Sequence, residues 1–88
     1  MQVIYLESFK KDLLKIKNKP TRERIKQGII KVKKATVLEK ITNVKAIKGK
    51  KNAYRLRVGG YRLGFFVYND TVEFARVAHR KDIYKLFP

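Results

Sequence analysis

The sequence predicts an α+β fold ordered β-α-α-β-β-β, with a helical hairpin on one face of a mainly antiparallel four-stranded sheet. Three observations carry this reading. Apolar residues recur at helical spacing in the first third of the chain, they alternate from Val44 onward, and the alternating stretches are separated by turn-forming pairs, GG and ND. With 88 residues and no long polar linker, the chain is expected to form one domain spanning residues 1–88.

QVIY at residues 2–5 is strand-like, and Ser8 is placed to cap a helix in which Phe9, Leu13 and Ile16 recur at i, i+4 and i+7. This helix is expected to run to about Lys17. Asn18, Lys19 and Pro20 break the pattern, and Thr21 is placed to cap a second helix striped by Ile25, Ile29 and Val32. Gly28 lies on the same side, where a missing side chain lets another element come close. The other faces carry Lys10, Lys11, Lys15, Arg22, Lys26, Lys33 and Lys34, the composition of a solvated helix face with no further role. Beyond Val44, VKAIK, AYRLRV, YRLGFFVY and TVEFARVA read as strands separated by GKKN, GG and ND. The tail RKDIYKLFP is too short for another substantial element.

Twenty-three Lys and Arg against seven Asp and Glu give a net charge of +16. The excess is evenly spread, twelve bases against four acids through residue 43 and eleven against three beyond it, so it belongs to the fold and not to a detachable tail. Such a charge points to a polyanionic partner. Nucleic acid ranks first, an acidic protein second, and a membrane surface third because no strongly apolar helix face accompanies the charge.

Several chemistries are excluded. There is no cysteine, hence no disulfide framework or thiolate metal site, which suits a reducing cytoplasm. The longest near-apolar run, LGFFVY, is strand-sized, and no signal-peptide core precedes it. Ser8 is the only serine and His79 the only histidine, which removes a serine or cysteine nucleophile with a histidine base, and a zinc site with it. The acids are scattered without a close pair, and no Gly-rich phosphate loop occurs. What remains is Arg, Lys, Tyr and one His, a set that suits binding a phosphodiester and stabilising charge on it without a cofactor or metal.

The stretch YRLRVGGYRLGFF concentrates that set. A two-residue Gly59-Gly60 turn places Val58 opposite Tyr61, Arg57 opposite Arg62, Leu56 opposite Leu63 and Arg55 opposite Gly64. Alternation then sends Tyr54, Leu56, Val58, Tyr61, Leu63, Phe65 and Val67 to the core, and Arg55, Arg57, Arg62, Gly64 and Phe66 to the other face. Opposed arginines cost about 0.2–1 kcal/mol relative to a neutral pair. Guanidiniums fixed around an empty glycine position make an anion site. Carrying the register through an Asn69-Asp70 turn puts Val77 opposite Arg62, with Glu73, Ala75 and His79 on the same face and Glu73 as the acid that partly neutralises the cluster. Arg76 lands on the core side, which a bulge or longer turn would correct.

YRLRVGGYRL and AHRKDIY, in this order and spacing after a strand and a helical hairpin, resemble toxins of the RelE/ParE superfamily from bacterial toxin-antitoxin pairs. The likeness covers nearly the whole chain. It implies a small cytoplasmic protein with a microbial RNase-like sheet, held inactive by a cognate acidic antitoxin. RelE-like members enter the ribosomal A site and cut mRNA by 2′-hydroxyl attack on the adjacent phosphate, leaving a 2′,3′-cyclic phosphate without a metal. On this resemblance Arg62 matches the arginine at the scissile phosphate. Arg55 and Arg57 match alternating lysines associated with proton transfer and charge stabilisation. Arg80 matches the arginine proposed to assist the leaving 5′-oxygen, and Tyr84 the tyrosine that stacks on a base. Lys48 matches a further basic position and, with Lys50 and Lys51, is assigned to RNA binding. His79 is either a general acid or base or a structural residue at the strand end.

Two departures matter. Arginine in place of lysine makes a poor general base and shifts the contribution toward charge stabilisation. The chain runs only four residues past Tyr84, so the longer C-terminal helix that antitoxins displace in some relatives is expected to be missing. The leading expectation is therefore a ribosome-dependent mRNA endonuclease. The alternatives are a ParE-like inhibitor of DNA gyrase and a non-catalytic basic RNA-binding module.

Overall fold

A computed structural model describes residues 1–88. Strands β1 (Gln2–Tyr5), β2 (Val44–Ala46), β3 (Ala53–Val58), β4 (Tyr61–Tyr68) and β5 (Thr71–His79) form one sheet in the order β1-β5-β4-β3-β2. Only β1 and β5 run parallel. Helices α1 (Glu7–Leu14) and α2 (Lys19–Lys34) lie between β1 and β2, and a short α3 (Ile83–Leu86) follows β5. The architecture is the expected α+β one, with five strands in place of four, because all five strand-like segments, QVIY and the four beyond it, pair into one sheet.

The helices differ from expectation at their ends. Ser8 lies inside α1 and its hydroxyl donates to the Ala75 carbonyl at 2.6 Å, tying the helix to β5; the cap position is Leu6. Asn18, and not Thr21, caps α2: its Oδ1 accepts from the Thr21 N–H at 2.9 Å, and Pro20 occupies the first turn, where its missing N–H costs no helical bond. Arg22 is more than solvated surface. Its Nη1 donates to the carbonyls of Leu13 and Ile16 at 2.6 and 2.8 Å, satisfying the open C-terminal end of α1. Gly28 does allow close approach, since a Cβ there would lie 3.0 Å from both Leu56 and Val58 of β3.

The main core fills the space between the helices and the sheet. Phe9, Ile25 and Val32 meet Leu56, Leu63, Phe65 and Phe74, all nearly or fully buried. The Phe74 ring lies tilted against both Phe9 and Phe65, its centroid 5.4 Å from each. A second, smaller cluster sits on the opposite face: Ala53 and Ala75 are covered by Ile83 and Phe87. The tail is therefore a structural lid on that face, and burying a residue of the size of Ile83 or Phe87 stabilises the fold by about 1.5–3 kcal/mol.

That lid changes the reading of Gly64. A Cβ on it would collide with the Phe87 ring, so the position is filled by an aromatic side chain and is not an empty anion pocket. No helix is long and apolar enough to cross a membrane.

Candidate functional site

The turn at Gly59-Gly60 sets the β3–β4 register as the alternation predicts: Arg57 faces Arg62, and Arg55 faces Gly64. Gly59 has φ +59°, the left-handed conformation this tight turn needs from its first residue. Pairing of β2 with β3 then brings Lys45 opposite Arg55. The result is a cleft of about 360 Å³ lined by Asn43, Val44, Lys45, Arg55, Arg57, Arg62 and Tyr84.

Each arginine is held by a neutral partner. Arg57 donates to Asn43 Oδ1 at 3.2 Å. Arg62 folds back on the turn and donates to the carbonyls of Gly59 and Tyr61, each at 3.0 Å. The Arg55 guanidinium sits 4.6 Å from the centre of the Tyr84 ring. The ion pairs of the molecule are Lys10–Glu7 and Arg76–Asp12, and neither touches this cleft. Glu73, expected to neutralise the cluster, pairs instead with Phe66 and makes no ion pair.

Uncompensated charge has a measurable consequence. Desolvation, then repulsion from Arg57, holds Arg62 below the usual arginine range; Arg80 and Arg55 push the same way while Tyr84 opposes them. Tyr84 responds in the opposite sense. Donation from Arg55 and its charge lower the phenol below its usual range, with Arg62 and Lys45 adding to the effect. The cluster is thus short of negative charge.

The rest of the expected set divides. β5 ends at His79, and Arg80 follows it with its N–H donating to the Gly60 carbonyl at 2.8 Å; its side chain is not among those lining the cleft, although its charge acts on Arg62. His79 itself belongs elsewhere. Between Gly64 and Phe65 the β4–β5 register slips by one residue, leaving Ala75 without a partner: Phe65 faces Phe74 but Gly64 faces Arg76. Val77 therefore faces Leu63 in the core, Ala78 faces Arg62, and His79 faces Tyr61, away from the arginine cleft. The bulge also settles Arg76, whose guanidinium reaches Asp12 on α1 at 2.8 and 3.0 Å. Lys48, Lys50 and Lys51 lie exposed in the β2–β3 connection, outside the cleft lining.

Lys45 and Asn43 line the cleft but were missed by sequence reasoning. The alternation of VKAIK hinted at Lys45, yet the connection after it does not set a pairing register as a two-residue turn does. No three His, Cys, Asp or Glu side chains converge on a point where a metal ion would bind. The chemistry available is anion binding and charge stabilisation by guanidiniums, with an aromatic ring at the rim.

The molecule is of a basic α+β class whose cleft of unpaired arginines is chemically suited to an anion. The family model described as ParE toxin of type II toxin-antitoxin system matches residues 3–84, and the chain belongs to this family. It is 43% identical to Toxin RelE3 of Methanocaldococcus jannaschii over the full length of both chains. Among solved structures, the RelB-RelE antitoxin-toxin complex from Methanococcus jannaschii is 42% identical, covers 97% of this chain and 99% of that one, and superposes with a TM-score of 0.78. The intact RelBE toxin-antitoxin complex of E. coli shares the fold at a TM-score of 0.70, with 24% identity, covering 89% of this chain and 94% of that one.

Proposed function

We propose that this RelE-type toxin is a metal-independent endoribonuclease that cuts mRNA in the ribosomal A site and so inhibits translation. The observation that carries the reading is the cleft itself: three arginines held by neutral groups, with no carboxylate paired to any of them. The 2′-hydroxyl attacks the adjacent phosphorus, the P–O5′ bond breaks, and a 2′,3′-cyclic phosphate remains. Arg62 binds the scissile phosphate, and Arg55 and Arg57 stabilise the charge that grows on its oxygens. Arg80 lies beside the leaving 5′-oxygen, and Tyr84 stacks on a base. Lys48, Lys50 and Lys51 contact the RNA backbone beyond the cleft.

The partner set follows from the same charge. An acidic antitoxin covers the arginine face in the cytoplasm, and ribosomal RNA and mRNA compete for it when the antitoxin is lost. Purified protein added to translating ribosomes should yield new 5′ ends within A-site codons; absence of such cuts removes the nuclease reading. The ParE description of the matching family supports a second reading, inhibition of DNA gyrase. A supercoiling assay decides between them, since a nuclease of this design leaves gyrase untouched.

A further inference from the structure

We propose that His79 is a positioning residue that holds Arg80 beside Arg62. Its effect on cleavage rests on the nuclease reading; its effect on the chain does not.

Three hydrogen bonds fix the turn that follows β5. The Arg80 N–H donates to the Gly60 carbonyl at 2.8 Å, the Lys81 N–H donates to His79 Nδ1 at 3.3 Å, and the Asp82 N–H donates to the His79 carbonyl at 2.8 Å. The imidazole thus reaches over Arg80 to grip the next residue. Its other edge lies against the β3–β4 turn: a Cβ on Gly60 would be 3.4 Å from His79 Nε2. The ring is held edge-on to Tyr61, with centroids 5.7 Å apart and planes at 80°. One side chain therefore braces both strand ends from which Arg80 and Arg62 extend, and neither it nor Arg80 lines the cleft that holds Arg62.

The grip depends on protonation. Nδ1 accepts the Lys81 bond only while it carries no proton; an imidazolium has N–H groups on both nitrogens and cannot accept. The charged or titratable groups that line the same cavity as the ring are Asp12 of α1, Lys15 just past its end, Tyr61 of β4, Arg76 of β5, and Asp82 and Lys85 beyond it. Asp12 is engaged by Arg76, so the near surroundings offer no free counter-charge from α1. Protonation of the ring should therefore release Lys81 and let Arg80 drift from Arg62.

The test uses the full chain with His79→Asn and His79→Ala. Asparagine offers an oxygen near the place of Nδ1 and does not titrate, so it keeps the grip at every pH. In nitrogen–proton correlation spectra, the Lys81 amide of the wild type should shift with the His79 ring titration, and in His79→Asn it should stay constant. On ribosomes, His79→Ala should lose about 10–100-fold in cleavage rate at neutral pH, the scale of a misplaced catalytic group, while His79→Asn keeps most of the rate and loses the acid limb. A Lys81 amide indifferent to the ring titration overturns the proposal. So does a folded His79→Asn variant as slow as His79→Ala, which would make the imidazole itself the proton carrier. Failure of the wild type to cut RNA removes the nuclease reading instead, and leaves the amide titration to decide the positioning role.

Discussion

Arg62 and Arg76 lie on neighbouring strands and receive opposite treatment from the fold. Arg76 is matched by Asp12 through two bonds, and the same carboxylate accepts from the Val77 N–H at 3.0 Å. Its proton affinity is raised, chiefly by that hydrogen bond. Arg62 faces Arg57, has no acid partner, and is held below the usual range by desolvation and by its neighbours. One arginine is matched by an acid within the fold and the other is not; the proposed function gives the unmatched one the binding role.

The largest effect should fall on activity. Arg62→Ala is expected to lower cleavage on ribosomes by about 10²–10³-fold, the range for losing one donor aimed at a developing oxyanion. Its melting temperature should hardly change, because one exposed and one part-buried bond to turn carbonyls are lost while repulsion from Arg57 is relieved. Near-normal cleavage would break the comparison by making Arg62 another solvated charge. Asp12→Ala probes the other side. With the Asp12 side chain 7% exposed and that of Arg76 26%, removing the acid strands a half-buried guanidinium and a buried N–H. The expected loss is roughly 2–4 kcal/mol in denaturant unfolding. A paired Asp12→Leu, Arg76→Met variant should recover most of it, since replacing both partners leaves no orphaned charge.

What the sequence made legible follows the same line. A two-residue glycine turn dictates register, so the facing of Arg57 and Arg62 was readable from spacing alone. The bulge at Ala75 was not, because nothing in FARVAH marks an extra residue, and one slip moved Val77 and His79 to the other face. Arg76 on the core side was the visible symptom, and Asp12, its partner 64 positions away, could not be inferred from local pattern. Tyr84 was reachable only through family resemblance, since a residue on a short helix after the last strand has no periodicity to place it. Phe87, equally without periodicity to place it, was not foreseen at all, and it turned an apparently vacant glycine into part of the core.

Gly64 sharpens the border between the two regions, because it faces Arg55 by register yet contacts the tail lid. Gly64→Ala should cost about 1–3 kcal/mol through overpacking against the Phe87 ring. In a Phe87→Leu background the penalty should shrink, as the clashing ring is gone. Equal penalties in both backgrounds would mean that backbone preference, and not the lid, accounts for the loss.

The finest probe is Tyr84, which is 73% exposed and so reports the field of the cleft with little burial of its own. Cations stabilise a phenolate, so its phenol should titrate below the ordinary value of about 10, and the absorbance difference between wild type and Tyr84→Phe isolates it from the other tyrosines. Arg55→Ala should move that titration upward, because Arg55 is the largest influence on it and acts both as donor and as charge. Salt at about 1 M should shrink the charge contribution, since screening then acts within about 3 Å. Asp12→Asn is the corresponding control from the matched pair: it alters the surroundings of Arg76 and should leave Tyr84 unmoved. A Tyr84 titration insensitive to Arg55→Ala would mean that the guanidinium over the ring is not fixed there, and the cleft would lose its claim to be arranged before an anion arrives.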